Sequence, residues 1–120
     1  MTLITHGPIA CDLSQLSIED RQHLLIEVQT TFSQASALHA LADGFAIEFP
    51  SEHGTVARLG EIIEFDRRCC PFIRHALIDE PWGGAIRLEL TGPDEVKAFI
   101  KAELVPLLPP ALISSSGIAL

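Results

Sequence analysis

The pair Asp43-Gly44 constrains this chain more than any other two residues. It favours the positive φ angles of a type I′ turn, and it sits between two short apolar runs, Leu38 to Ala42 and Phe45 to Phe49. An antiparallel hairpin is the expected result. With a two-residue turn, Ala42 faces Phe45, Ala40 faces Ile47 and Leu38 faces Phe49, so one apolar face is directed to the core.

A second hairpin is expected from Phe72 to Asp79, through Glu80-Pro81-Trp82-Gly83-Gly84, and back along Ala85 to Thr91. In its return strand Ile86, Leu88 and Leu90 alternate with Arg87 and Glu89, the pattern of a half-buried strand. Helical patterns flank the hairpins. Ser17-Ile18-Glu19-Asp20 opens a helix to about Gln34, with Ile18, Leu24, Leu25, Val28 and Phe32 on its apolar face. A second helix runs from about Val56 to Cys69 or Cys70, where Pro71 stops it. Gly92-Pro93-Asp94-Glu95 opens a third with proline at its first position, carboxylates in its first turn and Val96, Phe99, Ile100 and Leu104 buried.

The order α-ββ-α-ββ-α predicts an α+β fold, a mostly antiparallel four-stranded sheet with helices packed on one face. The arm Ile9-Ala10-Cys11 is a candidate edge strand. His39-Ala40-Leu41 recurs as His75-Ala76-Leu77, a hint of an internal ββα repeat. Residues 1–105 read as one domain, and 106–120 as a Pro/Leu/Ser-rich tail, either loosely ordered or held by a neighbouring subunit.

Composition narrows the partners. Of 120 residues 48% are hydrophobic and 20% charged, which excludes disorder of the whole chain. The net charge of −8 makes nucleic acid and anionic membrane surfaces poor partners. No apolar run reaches the roughly 18 residues of a membrane span, and Met1 to Pro8 lacks a basic region and a signal core. A cytoplasmic location follows as the expectation. The three cysteines are then expected as free thiols.

The second helix carries the one constellation suited to chemistry. At roughly 100° per residue, Val56, Leu59, Ile62, Ile63, Phe65, Cys69 and Cys70 share one half of it, with Asp66 near the middle of that half. Asp66 stands three residues before Cys69 and four before Cys70, the spacings at which helical side chains meet. A buried carboxylate needs a proton, a donor or a cation. Zinc or a softer thiophilic metal ion would ionise the thiols and neutralise the carboxylate, with Cys69, Cys70 and Asp66 as ligands and Cys11 as a fourth if its arm lies alongside.

Two other readings stand beside this one. In the first the protein is an interaction or structural domain whose cysteines only fill the core, and Asp66 accepts hydrogen bonds from backbone or Arg74. In the second it is a thiol-dependent enzyme or redox sensor. Against that, a helix C-terminus and a neighbouring carboxylate both raise a thiol's pKa, and no set of base, nucleophile and oxyanion donors is evident. His75 is an optional ligand or a half-buried histidine paired with Asp79. His39 reads as a solvated partner of Glu48 facing it across the first hairpin, and His6, His23 and His53 carry no signal.

Cys11-Asp12-Leu13, the segment Asp66 to Phe72 and the segment Leu90 to Lys97 together resemble a group of small bacterial proteins with a paired-cysteine segment. Similar segments are attached to mercury-type and other heavy-metal-responsive regulators. The resemblance spans Cys11 to Leu104 and implies a metal- or thiol-related role. Those proteins carry an acidic residue, often glutamate, at the position of Asp66. They tend to carry an aromatic one at that of His75, so the resemblance does not extend to His75 as a ligand. A homodimer is also expected, through the sheet face bearing Leu41, Ala46, Ala76, Ile78 and Ala85, the tail, or both.

Overall fold

Ser17 begins the first helix as its hydroxyl suggests: its Oγ accepts the Asp20 backbone N–H at 3.0 Å. From there the computed structural model, which describes residues 10–118, runs α1 (Ile18–Phe32), β1 (Ala37–Leu41), β2 (Gly44–Phe49), α2 (Thr55–Cys69), β3 (Arg74–Asp79), β4 (Ile86–Thr91), α3 (Val96–Glu103) and α4 (Pro110–Ser115). The fold is α+β. Its sheet has the order β1-β2-β4-β3 with every neighbouring pair antiparallel.

One face of that sheet makes the core. Phe45 lies opposite Leu90, Ile47 opposite Leu88 and Phe49 opposite Ile86, and all six are buried. Leu24 and Phe32 of α1, Leu59 and Ile62 of α2, and Val96 and Ile100 of α3 close over them. Burial of each large apolar chain contributes about 1.5–3 kcal/mol relative to exposure. The opposite face is polar along its centre, where Arg87 lies 3.5 Å from Glu48 and 2.8 Å from Glu89. Leu41, Ala46, Ala76 and Ile78 alternate onto this outer face between those charges, while Ala85 precedes β4.

The first hairpin turns one residue earlier than the Asp43-Gly44 pair predicts. Leu41 pairs with Gly44 and Leu38 with Ile47, so the register is shifted by two residues and the same side chains still share a face. Ala42 and Asp43 form the turn, and neither has positive φ. Gly44 serves a different purpose: a Cβ there would run into the Leu90 carbonyl of β4. At the second hairpin Trp82 and Gly83 form the tip, both with positive φ. The His-Ala-Leu repeat does not survive, because His39 faces outward and His75 inward. His39 does reach Glu48 at 3.3 Å, diagonally rather than directly across.

Other expectations are also corrected. Ile18 and Leu25 are exposed, at 69% and 57%, because α1 packs chiefly through Leu24, Val28, Thr31 and Phe32. Helix α3 starts at Val96 rather than at Pro93, since Asp94 takes a positive φ that interrupts the helical path and leaves no carboxylate in the first turn. The arm before α1 is not an edge strand over its described part. Its Asp12 N–H donates to the Cys69 carbonyl at 2.7 Å, at the end of α2, while Ile9 lies outside the described residues. Of the segment read as a tail, the described part, 106–118, folds back on the chain's own core: Leu108 is buried, and Leu112, Ile113 and Ile118 pack against the core. No helix among the described residues is long and apolar enough to cross a membrane.

Candidate metal and thiol centre

Pro71 shapes the centre before any side chain does. The residue preceding a proline is driven out of the helical region, and Cys70 accordingly leaves α2 at φ −128°, ψ 64°. That departure turns the Cys70 thiol to the same side as Cys69, with the two Sγ atoms 3.6 Å apart. The helix end is held by Cys70 N–H donating to the Asp66 carbonyl at 2.6 Å. Asp12 N–H, donating to the Cys69 carbonyl, pins the N-terminal arm across this end and brings Cys11 over it.

The consequence is a cluster of four donors. One ligand atom each from Cys11, Asp66, Cys69 and Cys70 lie within 4.8 Å of one another. Cys69 and Cys70 are buried, and Cys11 and Asp66 are partly so. The sequence expected free thiols. Instead Cys11 and Cys70 form a disulfide, their Cα atoms 4.6 Å apart across 59 residues of chain, and Cys69 is the free cysteine. The pinning of the arm by Asp12 is the physical reason, since a contact between residues so far apart in sequence leaves no local signature.

Burial pushes the Cys69 thiol above its ordinary range, and the Asp66 carboxylate pushes it the same way, opposed by a backbone hydrogen bond and by Arg68. The two arginines of the last turn are spent elsewhere: Arg67 on Glu64 at 3.2 Å, and Arg68 over the Phe65 ring and near Asp20. Cys69 is therefore a protonated, inert thiol at neutral pH unless a cation displaces its proton.

His75 is not one of the four clustered donors. Its Nε2 stands 2.7 Å from Asp66 Oδ2, and the pair is largely buried, with side-chain exposures of 7% and 16%. The partner is thus Asp66, not Asp79, and neither Arg74 nor backbone takes that role. Strand parity carried the signal: Leu77 faces Leu88 on the core side, and His75, two residues earlier, must face the same way.

A second group of ligand types, His23, Glu27 and Glu61, also lies within mutual ligand reach on the outer surface of α1 and α2. Nothing in the sequence reading had singled it out, although His23 and Glu27 stand at the i,i+4 spacing. Glu61 Oε1 lies 2.7 Å from His23 Nε2, a hydrogen bond that holds the histidine above its usual pKa.

Comparison with known proteins returns nothing for this chain: no family model, no curated protein and no solved structure matches it.

Proposed function

We propose that this protein is a metal- or thiol-responsive binding module whose reduced form takes zinc or a softer thiophilic ion at Cys11, Cys69, Cys70 and Asp66, with a cytoplasmic setting to keep the thiols reduced. The observation that carries the reading is the convergence of three sulfurs and a carboxylate from two separate segments. Three thiolates and a carboxylate satisfy a four-coordinate ion. Zinc–sulfur bonds of about 2.3 Å set tetrahedral edges of roughly 3.8 Å, and the Cys69 and Cys70 sulfurs already stand at 3.6 Å. Once reduced, Cys11 and Cys70 need to part by only roughly 1.7 Å from a bonded pair to meet the same edge.

Asp66 suits the fourth position because His75 engages one oxygen and orients the carboxylate, leaving the other for the ion. The net charge of −8 favours a cation as well. The resemblance of the Asp66 to Phe72 segment to metal-responsive regulator segments supports the same reading. Oxidation and metal binding exclude each other here, because a disulfide sulfur supplies no thiolate.

Calorimetric titration of zinc and of cadmium into fully reduced protein, repeated in two buffers of different ionisation enthalpy, tests the proposal. Uptake of one ion per chain with release of protons is expected, since each ligating thiol must ionise. Absence of uptake by reduced wild type, or equal uptake by the Cys70→Ser variant, would sink the metal reading and favour cysteines that only pack.

A further inference from the structure

A cavity of about 360 Å3 opens onto the cysteines, which with Asp66 line one side of it. Leu13, Leu24, Leu25, Val28, Leu104 and Leu107 supply its apolar lining, and Arg21 and Gln22 its remaining polar groups. Three of those leucines are otherwise without explanation: Leu13, Leu25 and Leu107 are 48%, 57% and 44% exposed. Exposed apolar chains gathered round one concavity mark a binding site more often than chance scatter does. A metal ion has no use for such a wall. A ligand with an apolar body does, and what meets its head is the Cys11–Cys70 disulfide.

We propose that the oxidised protein captures small apolar thiols by exchange at this disulfide. The thiolate RS⁻ attacks Cys11 Sγ and the Cys11–Cys70 bond breaks. Its electron pair leaves on Cys70 Sγ, which takes up the proton the incoming thiol gave away, and the product is the mixed disulfide of Cys11 with R. No further oxidant or reductant enters. Cys11 is the sulfur attacked because it is partly exposed, whereas Cys70 is 1% exposed. Cys69 Sγ, 3.6 Å from Cys70 Sγ, is placed to donate a hydrogen bond to the emerging sulfur. Anionic thiols such as glutathione are disfavoured by the net charge of −8 and by Asp12 and Asp66 beside the cysteines. Arg21 offsets them little, being held by the Leu16 carbonyl and close to Asp12.

The test is a series of straight-chain alkanethiols, from ethanethiol to octanethiol, against the air-oxidised full chain, with adducts followed by intact mass and mapped by peptide digestion. Thiol acidity is nearly constant along the series, so chain length reports burial alone. Each methylene that enters the cavity should raise the rate of adduct formation about fourfold until the cavity is full, and the adduct should sit on Cys11. Leu25→Ser and Leu107→Ser alter exposed positions, so they should spare the fold, a point checked by circular dichroism, and flatten the slope. A rate independent of chain length, an adduct on Cys69 or Cys70, or an air-oxidised chain lacking the Cys11–Cys70 bond would each overturn the proposal. It does not rest on metal binding. Ion uptake by reduced protein with a flat thiol series removes this inference alone, and a steep series without ion uptake removes the metal reading alone.

Discussion

Two groups of ligand-type residues occur among the described residues, and they differ in everything except proximity. Cys11, Asp66, Cys69 and Cys70 converge at the end of α2, where two members are buried and a proline, a helix end and a pinned arm fix the backbone. His23, Glu27 and Glu61 converge on the open side of α1 and α2, with His23 and Glu61 about half exposed and Glu27 partly buried. Distance alone would call both groups sites. Cost separates them: the exposed group gains little from a cation that water does not already provide, whereas the buried group leaves a carboxylate and three polarizable sulfurs in a place poor in solvent. A ligand-shaped cluster becomes a site where the fold has already ordered the donors.

The widest difference is expected in ion affinity. Cys69→Ser or Cys70→Ser should lower the affinity of the reduced protein for cadmium at least hundredfold, because a serine hydroxyl is not ionised by a soft ion at neutral pH. His23→Gln should leave the affinity unchanged. Competition against a chromophoric chelator measures both, and a comparable loss in the His23 variant would erase the distinction between the two groups. Within the buried group, His75→Ala should weaken binding by about 10- to 100-fold, the usual scale for a residue that only orients a ligand. His75→Phe should behave alike if orientation of Asp66 is all the histidine supplies.

A difference of comparable size is expected in stability without metal. Closing 59 residues of chain through Cys11 and Cys70 removes conformational freedom from the unfolded state, worth about 2–4 kcal/mol. Reduction, or Cys11→Ser, should lower the denaturation free energy by that amount, read from urea unfolding with and without reductant. Identical midpoints would mean that the arm is held by Asp12 and the packing of Leu16 alone. Cys69→Ser tests packing separately: a hydroxyl in that buried position costs about 1–3 kcal/mol if it finds no partner.

How much of this was legible in the sequence follows from how local each feature is. The strands and helices are written in short-range periodicity, so Ile86, Leu88 and Leu90 reported their own burial and Ser17 its own cap. The hairpin register was misplaced because Gly44 looked like a turn glycine, while its purpose, clearance for the Leu90 carbonyl, belongs to a strand that arrives 40-odd residues later in the chain. Asp66, Cys69 and Cys70 were visible because they stand close in sequence at one helix end, and Cys11 could be named but not placed, because its position is decided by contacts distant in sequence, the Asp12 backbone hydrogen bond and the bond to Cys70. The apolar wall escaped entirely. Leu13, Leu25 and Leu107 come from three segments whose meeting no periodicity records.

The smallest effect lies in the exposed group, and its pH dependence has a definite sign. Glu61 raises the pKa of His23 above the value of about 6.5 that the unfolded chain has. A raised folded pKa means that the folded state binds the proton more tightly. The contribution of the pair is therefore fully present below the unfolded pKa and is lost as pH rises through the folded one. The melting temperature of the oxidised protein should carry a shallow fall, beginning near the unfolded value of about 6.5 and continuing as pH rises through the raised folded one, that the Glu61→Gln variant lacks. High salt should shrink that difference, because the pair is exposed and screened. Comparing the two proteins by scanning calorimetry at low and high salt isolates His23 from every other titrating group. Parallel curves would show that the surface pair contributes nothing measurable. A difference as large as that produced by reducing Cys11–Cys70 would show that the exposed cluster, too, is ordered by the fold.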